Sequence, residues 1–535
     1  MATIQNAREE KSDTKNSVKK IDIQVSDVKK MMDRYHYSDD IKSNIMKENL
    51  LPAGVLSRLH SCFTHHSDIM ESSKFLFTGK EHYAGLSGFR EIVEILHKSG
   101  INIGHIKARE LFIQVYRFLA TKHVLNTINW NNFTDDSLFQ LVFPQLEMIQ
   151  AETVNLYTEA KSDDERKTII DEYMKMTNPH DGKQLLNKPW FKNEDGELEI
   201  LDGCQHKYPQ CILLFDKTTQ SCFAFCTYCF RHAQVRGDED MFIQKEVKQV
   251  HNYLALHKEI TDVLITGGDA SKMSFERLEQ YVLPLIENPN LMHIRTLRLG
   301  TRALTFSPEM ILSNDYNNML DLFKKLNNNG IQVVWMAHIS TPKELLNIST
   351  IAAVRRLRAA GVVIKSQSPI MNHISLFTDE NGKIDVERSA QNWIDLGNIL
   401  AILSIGFHSM YCARPTGEHH YFTVPLADIN RVFNKVYRSL PSINRPSRYI
   451  TMTSSAGKIS LLGTVEVNGK TAFALKFNEA RNMEWLDKVF LTKYDEKENT
   501  IANLKPFDTD KHFYEDDLKN KEDALQETLE KRLKK

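Results

Sequence analysis

The chain has 535 residues, 41% apolar and 26% charged, a composition typical of soluble globular proteins. Its 68 Lys and Arg residues almost balance its 69 Asp and Glu residues, so no basic field points to nucleic acid or membrane binding. There is no run of 18 apolar residues and no apolar N-terminal signal. The seven cysteines are odd in number and unevenly spread, which fits free thiols better than disulfides. We therefore expect a cytoplasmic protein.

The N-terminal part of the chain is predicted to be helical. Residues 1–30 are polar and rich in Lys, Asp, Ser and Asn, which indicates a flexible arm or a frayed helix. From there to about residue 160, apolar residues recur at helical spacing, as in residues 89–96 and 111–119. We predict a helical N-terminal domain over residues 31–195 that serves as scaffold and oligomer contact.

Residues 196–460 alternate between short apolar runs and helical stretches, which indicates parallel strands joined by helices. One helix is predicted to follow the N-cap Ser307, with Pro308 at its first position, and to end near Gly330. Six strand–helix units predict an α/β fold built as a partial (βα)6 barrel. The predicted strands are residues 212–215, 263–266, 296–299, 333–336, 362–365 and 406–411.

A polar segment follows each of the six predicted strands, and in barrels of this kind the chemistry lies on those loops. Regular placement after every strand is hard to obtain by chance, so we expect these residues to line one site. In chain order they are Cys222, Cys226 and Cys229, then Gly267, Gly268 and Asp269, then Arg302, His338, Gln367, Ser368, Cys412 and Arg414.

Residues 461–535 are predicted to form a small C-terminal extension. Two alternating runs flank Asn468-Gly469, a strong signal of a β-hairpin with a tight turn. Residues 514–535 are highly charged and predict a solvated helix.

Cys222, Cys226 and Cys229 have the spacing CxxxCxxC, in which three thiolates can hold three irons of a [4Fe-4S] cluster. Ferredoxin clusters have four cysteine ligands, so here the fourth iron is left open. An open iron can bind the amine and the carboxylate of S-adenosylmethionine. The neighbouring aromatic residues that would shield a cluster from water are Phe223, Phe225, Tyr228 and Phe230.

A zinc site is the alternative for these cysteines. Cys204, His206 and Cys211 lie upstream and could complete a tetrahedral set on paper. The doubled CxxC…CxxC spacing that zinc knuckles prefer is absent, however. The open iron–sulfur cluster is the favoured prediction.

Two further motifs have both an ordinary and a functional interpretation. Gly267 and Gly268 form a common type of turn, but they would also let the backbone approach a ligand closely. Lys458 follows a run of small residues, and a single lysine is far more often a solvated surface charge than a catalytic group. A lysine in a barrel mouth can instead form a Schiff base with an aldehyde cofactor.

Taken together, these motifs resemble the lysine 2,3-aminomutase family of radical S-adenosylmethionine enzymes. The resemblance covers about residues 200–460, with the helical segment before them, and marks the chain as a divergent member. Order and approximate spacing agree throughout, which is more specific than any single motif. The matching segments are residues 206–209, 222–232, 266–269, 298–302, 367–368 and 455–458.

The resemblance implies an isomerase with three cofactors. A [4Fe-4S] cluster would reduce S-adenosylmethionine to methionine and a 5′-deoxyadenosyl radical, which takes a hydrogen from Cβ of an amino acid. The amino acid would be held as an imine of pyridoxal 5′-phosphate while its nitrogen moves from Cα to Cβ. An electron donor such as flavodoxin or ferredoxin, and a homo-oligomer, are also implied.

The resemblance assigns residues to the cluster and to S-adenosylmethionine. Cys222, Cys226 and Cys229 would ligate the cluster. The residues that would hold the methionine end, or lie near it, are Gly267, Gly268, Asp269, Gln367, His338 and Ser368.

The resemblance also assigns residues to pyridoxal phosphate and the substrate. Lys458 falls where the family has its pyridoxal lysine, and Tyr208 would lie beside the pyridine ring. Arg302, and with it Lys207, would neutralise the phosphate. Arg231 would pair with the substrate α-carboxylate, a task that suits a bidentate guanidinium.

Two departures from the family bear on the substrate. Lysine-specific members hold the distal ammonium with an aspartate seven residues before the pyridoxal lysine, where this chain has Thr451. A second aspartate lies in the loop after strand six, where this chain has no acid and Arg414 is close by. Because Arg414 would repel an ammonium, we predict that free lysine is not the substrate. A side chain that is uncharged or carries a carboxylate fits better.

The lysine enzyme's C-terminal zinc cysteines have no counterpart, since no cysteine follows Cys412, and no such zinc site is expected. Two other functions are compatible with the sequence. One is a radical S-adenosylmethionine enzyme without pyridoxal phosphate that acts on a peptide or another small molecule, with Lys458 merely structural. The other is an iron–sulfur or zinc protein with a redox or binding role. Neither nucleic acid nor a membrane is an expected partner.

Overall fold

The computed structural model describes residues 20–63, 65–66, 75–177, 187–193, 195–236 and 241–533. It shows a mixed α/β protein, as predicted, in which a helical N-terminal segment precedes a large central sheet. Within these ranges, no helix combines the length and the apolar character that crossing a membrane requires.

The N-terminal segment consists mainly of short helices with two strands between them. The helices are α1 (Val25–Arg34), α2 (Asp39–Lys47), α3 (Ala53–Phe63), α4 (Gly85–Lys98), α5 (Ile106–Val115), α6 (Lys122–Thr127), α7 (Ser137–Val142), α8 (Ala151–Glu159) and α9 (Asp163–Met176). The strands β1 (His82–Ala84) and β2 (Leu119–Thr121) pair antiparallel. In α4, Phe89, Ile92 and Leu96 recur on one face and are fully buried, which confirms the helix predicted over residues 89–96.

The last part of the arm predicted over residues 1–30 belongs to a helix. Residues 1–19 lie outside the described residues, and α1 already begins at Val25. The backbone N–H of Ile23 donates to Ser57 Oγ of α3 at 2.9 Å, and Val28 is buried. Polar composition misled the prediction because a few apolar positions were enough to pack this segment against α3.

The helix predicted over residues 111–119 ends at Val115 instead. Leu119 and Ala120 belong to β2, where they pair with Ala84 and Tyr83 of β1. Strand pairing with a distant segment therefore overrides the local helical pattern.

The central sheet has eleven strands within the described residues. A small antiparallel pair, β3 (Trp190–Lys192) and β4 (Leu198–Ile200), precedes it. The strands of the central sheet are β5 (Cys204–Tyr208), β6 (Cys211–Phe215), β7 (Asp262–Thr266), β8 (Thr296–Thr301), β9 (Gln332–His338), β10 (Val363–Ile370), β11 (Gly406–Cys412), β12 (Ile450–Thr453), β13 (Gly457–Val467), β14 (Lys470–Ala480) and β15 (Val489–Lys493).

These strands lie side by side in chain order, from β5 at one edge to β15 at the other. Strands β6 to β12 run parallel, whereas β5 and β13–β15 pair antiparallel with their neighbours. The six predicted strands correspond to β6–β11. The helices that alternate with them, or follow them, are α10 (His232–Arg236), α11 (Val247–Leu256), α12 (Phe275–Glu287), α13 (Ala303–Phe306), α14 (Pro308–Leu312), α15 (Asn317–Asn328), α16 (Ile348–Ala359), α17 (Val386–Ile402), α18 (His419–Phe422), α19 (Leu426–Ser439) and α20 (Glu515–Leu533).

The helix predicted from Ser307 to Gly330 is divided into α14 and α15. The break lies at Ser313, whose backbone is extended, with φ −71° and ψ 160°. The predicted end is correct, because Gly330 has φ +83° and the N–H of Ile331 donates to the carbonyl of Leu326 at 3.0 Å.

The sheet curls, which brings strands far apart in its order into contact. The side chain of Lys207 on β5 donates to the backbone carbonyl of Ser454, directly after β12. Lys458 Nζ on β13 lies 5.2 Å from the ring centroid of Tyr208 on β5. A flat sheet would hold β5 and β12 about 34 Å apart, at roughly 4.8 Å per strand. The curl therefore gives the sheet a concave face that polar side chains can share.

The C-terminal hairpin is formed as predicted. Val467 pairs with Lys470 across the turn, where Asn468 has φ 51° and Gly469 has φ 73°. These left-handed values are what a two-residue turn of type I′ requires. The charged C-terminal segment forms α20, which confirms the predicted helix as far as residue 533.

Candidate active site

The loops that follow the parallel strands contact one another, as the sequence predicts. The backbone N–H of Gly268, after β7, donates to the carbonyl of Thr219 at 2.7 Å in the loop after β6. Asp269 Oδ2 accepts from the backbone N–H of Arg302, after β8, at 2.8 Å. Arg302 Nε in turn donates to Nδ1 of His338, at the end of β9, at 2.9 Å. Four successive strands thus contribute to one connected edge.

Cys222, Cys226 and Cys229 lie in the loop after β6 and are partly buried, with the side chains of Phe223 and Phe225 packed in the core around them. Burial raises the pKa of Cys226, and burial together with the charge of Cys226 raises the pKa of Cys229 to about 12. In the absence of a metal, these thiols would stay protonated. Thiols that lose their protons only when a metal ion binds are suited to ligating an iron–sulfur cluster.

The spacing of the three sulfur atoms argues against a single zinc ion. Their Sγ atoms do not all lie within 4.8 Å of one another. Thiolates on one tetrahedral zinc, at 2.3 Å from the metal, would be about 3.8 Å apart. The wider spacing fits a cluster of several metal ions.

Two of the upstream residues that could have completed a zinc site, His206 and Cys211, are engaged in hydrogen bonds with other residues. His206 contacts the hydroxyl of Tyr253 through Nδ1 at 2.7 Å and the carbonyl of Pro209 through Nε2 at 3.2 Å. Cys211 Sγ accepts from Arg298 Nη2 at 2.8 Å. With both nitrogens of His206 engaged, no zinc set forms around Cys204, His206 and Cys211.

The cysteine loop is anchored on the N-terminal segment. The N–H of Phe225 donates to the carbonyl of Leu119 at 2.7 Å, and that of Thr227 donates to the carbonyl of Leu141 at 2.9 Å. These bonds connect the loop to β2 and α7. The N-terminal segment therefore positions the cysteines, a role beyond the scaffold predicted for it.

The two glycines after β7 are required because their loop lies directly against the cysteine loop. Gly267 has φ +143°, and a Cβ there would lie 2.4 Å from Thr219 Oγ1. A Cβ on Gly268 would lie 2.7 Å from the carbonyl oxygen of Ser221 and 3.0 Å from Cys222 Sγ. Larger residues would displace the cysteine loop.

The carboxylate of Asp269 is an internal brace. Its Oδ1 accepts from the N–H of Ser271 at 2.9 Å, while Oδ2 accepts from the backbone of Arg302. Burial raises the pKa of Asp269, although these hydrogen bonds oppose the shift. Both carboxylate oxygens already have partners within the chain. If this loop holds S-adenosylmethionine, as predicted, the contacts would therefore come from its backbone groups.

The role predicted for Arg302 needs correction. Its guanidinium donates to Glu344 Oε1, to the hydroxyl of Tyr228 and to Ser340 Oγ, each at 2.6 Å, and Nε donates to His338. All three nitrogens therefore have partners within the chain. Arg302 braces the edge beside the cysteines, and four of its five N–H donors are already used within the chain.

His338 and Gln367 meet the prediction that they lie together, whereas Ser368 does not join them. Gln367 and His338 are register partners on β10 and β9. Burial and Arg302 lower the pKa of His338 well below its usual value, and because Nδ1 accepts from Arg302, Nε2 carries the proton. Ser368 points to the opposite face of β10, where it is fully buried and bonded to Ser366 Oγ at 2.6 Å.

Lys458 lies on the concave face with a carboxylate beside it. Its Nζ donates to Glu479 Oε2 at 2.5 Å, and Glu479 Oε1 also accepts from Arg448 Nη2 at 3.2 Å. Lys458 and Glu479 are register partners on β13 and β14. Glu479 was missed by the sequence reasoning, although counting pairs outward from the Asn468-Gly469 turn would have placed it opposite Lys458.

A surplus of cations surrounds Lys458. Lys207 is buried, and burial together with Arg481, Arg414 and Lys458 lowers its pKa well below the usual value. Within the described residues, no carboxylate oxygen lies within 4.0 Å of the side-chain nitrogens of Lys207 or Arg414. Lys207 and Arg414, which have no carboxylate partner there, would suit an anion such as a phosphate or a carboxylate.

Arg231 and Arg414 both lie beside the ring of Phe230. Their guanidinium carbons lie 5.3 Å and 5.0 Å from the ring centroid of Phe230. Burial and the charge of Arg414 lower the pKa of Arg231 to about 9. Arg231 is close enough to Cys229 and Cys222, and Arg414 to Tyr208, for these groups to influence one another electrostatically. A continuous series of neighbours thus joins the cysteines to Lys458.

Thr451 lies on β12 and brings no charge to this face. It is fully buried, its hydroxyl donates to the carbonyl of Tyr449 at 2.8 Å, and Oγ1 accepts from Asn478 Nδ2 at 3.0 Å. Position 451 is therefore neutral and fully engaged.

Comparison with known proteins finds sequence relatives of this chain. No family model matches the chain. The L-lysine 2,3-aminomutase of Clostridium subterminale is 28% identical over 226 residues, which is 39% of this chain and 51% of that enzyme. The glutamate 2,3-aminomutase of Clostridioides difficile (strain 630) is 29% identical over 225 residues, covering 39% and 50%. The L-lysine 2,3-aminomutase of Bacillus subtilis (strain 168) is 24% identical over 326 residues, covering 61% of each chain.

Among solved structures, Streptococcus suis SuiB bound to S-adenosylmethionine aligns with 64% of this chain and 70% of its own, at 14% identity and a TM-score of 0.31. The chain spans between about half and three fifths of the curated relatives named above. On these sequence matches, the chain is a homologue of the 2,3-aminomutases. More narrowly, the predicted resemblance is confirmed: it is a divergent relative of the lysine 2,3-aminomutases.

Proposed function

We propose that this protein is a radical S-adenosylmethionine enzyme that moves an amino group from Cα to Cβ of an amino acid other than free lysine. The observation that carries the proposal is the position of Lys458. It lies on the concave face beside Tyr208, amid uncompensated cations, and a series of neighbouring residues connects it to the three cysteines. A lysine that was merely a surface charge would not have these surroundings.

The proposed architecture is a partial (βα)6 barrel of radical S-adenosylmethionine type, made of β6–β11 with their helices. The curl of the sheet and the parallel order of the strands support it. The domains follow the sequence prediction, with the barrel over residues 196–460.

The residues present fit the three cofactors. Cys222, Cys226 and Cys229 would hold a [4Fe-4S] cluster with one open iron. Lys458 and Tyr208 would hold pyridoxal 5′-phosphate, with Lys207 at the phosphate in place of Arg302. When bound, the cluster and S-adenosylmethionine would supply the radical, and pyridoxal phosphate would hold the migrating nitrogen.

The pair Arg231 and Arg414 would bind the substrate through two carboxylates. Arg231 would take the α-carboxylate, and Arg414 a carboxylate on the side chain. A lysine ammonium 4 Å from Arg414 would be repelled by about 4 kcal/mol at an effective dielectric constant of about 20. Thr451 offers no compensating charge, so we propose an acidic amino acid of the size of glutamate or aspartate.

Glu479 would orient Lys458. A hydrogen bond at 2.5 Å fixes the Nζ position on the concave face, and the second oxygen of Glu479 is itself held by Arg448. Burial alone would raise the pKa of Glu479, but Lys458, Arg448 and Arg298 lower it, so the carboxylate stays ionised and accepts a hydrogen bond from Nζ. An electron donor such as flavodoxin or ferredoxin, a homo-oligomeric state and a cytoplasmic location complete the proposal.

The test is an anaerobic amino acid screen with protein reconstituted with iron, sulfide and pyridoxal phosphate. Glutamate, aspartate, alanine and lysine would each be incubated with S-adenosylmethionine and a reductant, and β-amino isomers and 5′-deoxyadenosine measured by mass spectrometry. We expect a β-isomer from an acidic amino acid, and none from the Lys458→Ala variant. Preferential turnover of lysine would refute the substrate assignment. Deoxyadenosine formation unaffected by removing pyridoxal phosphate would favour a radical enzyme that acts on another substrate.

A further inference from the structure

A second cluster of metal-ligating side chains lies outside the candidate active site. His65 Nε2 and His66 Nε2 lie 2.9 Å and 2.8 Å from the same oxygen, Oδ2 of Asp395. The three ligand atoms all lie within 4.8 Å of one another. His65 and His66 follow α3, while Asp395 projects from α17, so the cluster connects the N-terminal segment to a helix of the central α/β region.

The arrangement has the chemistry of a metal site. Two imidazoles and one carboxylate form the facial set used by divalent first-row transition ions, and imidazole favours zinc, iron or cobalt over calcium or magnesium. With ligand–metal distances of about 2.05 Å, atoms 2.8–2.9 Å apart subtend about 90° at a metal. Spreading them to about 3.3 Å would give a tetrahedral angle, a small movement for the exposed ring of His65.

The carboxylate is already oriented for this role. Asp395 is buried, and Gln391 Nε2 donates to its Oδ1 at 2.8 Å, which leaves Oδ2 for the two histidines. Burial alone would raise the pKa of Asp395, but the hydrogen bonds from His66, His65 and Gln391 outweigh it and keep the carboxylate ionised. Ligating carboxylates held by a second group in this way are typical of protein metal sites.

We propose that His65, His66 and Asp395 bind a divalent transition metal ion such as Zn²⁺, which ties α3 to α17. Water would complete the coordination. The ion would be separate from the cysteines, and the proposal does not depend on the function proposed above.

The test uses Co²⁺ and Zn²⁺ as probes. They are added to the full-length protein reconstituted with its cluster, and to a triple variant that combines Cys222→Ala, Cys226→Ala and Cys229→Ala. The triple variant removes the competing thiolates. We expect one tightly held ion per chain by elemental analysis after dialysis, with Co²⁺ bands in the visible region and no sulfur-to-cobalt charge transfer.

Three further variants decide whether the ion sits at this cluster. His65→Ala should lose the ion without unfolding the chain, since the side chain of His65 is 56% exposed. Gln391→Ala should weaken binding by roughly 10- to 100-fold, as expected when the group that orients a ligand is lost. The exposed His97→Ala is the matched control. The proposal would be overturned if His65→Ala kept its full metal content. It would also be overturned if no ion remained after dialysis in any of the proteins tested.

Discussion

Substituting Arg414 by methionine tests the substrate assignment most directly. The change removes one of the two guanidinium groups beside Phe230 while keeping a long apolar stem. A charge-assisted hydrogen bond to a carboxylate contributes about 1.5–3 kcal/mol. Its loss should lower kcat/KM for an acidic substrate roughly 10- to 150-fold, at about 1.4 kcal/mol per factor of ten. For lysine, removing a repulsion of up to about 4 kcal/mol should raise kcat/KM at least about tenfold.

The same substitution should leave the fold intact. Arg414 is a desolvated cation that the described carboxylates do not compensate, and burial lowers its pKa. Replacing such a group with an apolar one of similar length is neutral or stabilising. We therefore expect the Tm to stay the same or to rise, in contrast to a variant that damages packing.

The assay is steady-state turnover of glutamate, aspartate and lysine under anaerobic conditions, with product β-isomers measured by mass spectrometry. Cluster iron and pyridoxal phosphate content should match the wild type. Arg438→Met, on the exposed face of α19, is the control for the loss of one positive charge. Unchanged kcat/KM for the acidic substrate in Arg414→Met, with a normal cluster, would refute the argument that Arg414 faces the side chain.

Two other predictions follow from the site, and a third from Glu418, a buried carboxyl group after β11 that accepts from the hydroxyls of Tyr116 and Tyr173 at 2.8 Å and 2.9 Å. Lys458→Ala should abolish the visible absorbance of bound pyridoxal phosphate but leave the cluster iron content unchanged; loss of both would show that Lys458 is needed for folding. Gly268→Ala should cost about 1–3 kcal/mol and lower the iron content, because the new Cβ would meet Cys222, whereas Gly54→Ala, with open space around it, should have little effect on either. Burial raises the pKa of Glu418 to about 7, against opposing hydrogen bonds from two tyrosines, so the folded state binds more protons than the unfolded state between about pH 4.5 and 7. Stability should therefore fall as pH rises through that window, and Tm measured from pH 5 to 8 should become flatter in Glu418→Gln; an unchanged slope would contradict the assignment.

The strands and turns could be predicted from the sequence because their signals are local. Alternating apolar runs marked β6–β11, and Asn468-Gly469 marked the hairpin turn, since only a left-handed pair suits that geometry. The position of polar residues after each strand then predicted that the loops would meet, because parallel strands end at a common edge. The same local reasoning failed at residues 111–119, where pairing with β1 decides the conformation.

Partners of individual side chains were harder to predict. Arg302 was assigned to a phosphate, but four groups from two separate segments, residues 338–344 and the cysteine loop, hold its guanidinium. Ser368 was placed with Gln367, but neighbours on a strand face opposite sides. Glu479 was overlooked because it lies 21 residues after Lys458 in the chain and meets it only across the hairpin.

The sequence by itself determined the cysteine spacing, the order of strands and helices, the turn of the hairpin and the resemblance to the aminomutases. These depend on residues close together in the chain, or on their order, which a linear pattern records. Only the tertiary structure decided that Lys458 faces Tyr208, that Arg231 and Arg414 flank one ring, and that His65, His66 and Asp395 converge. Each of these contacts joins segments far apart in the chain, and they meet because the sheet curls and the helices pack around it.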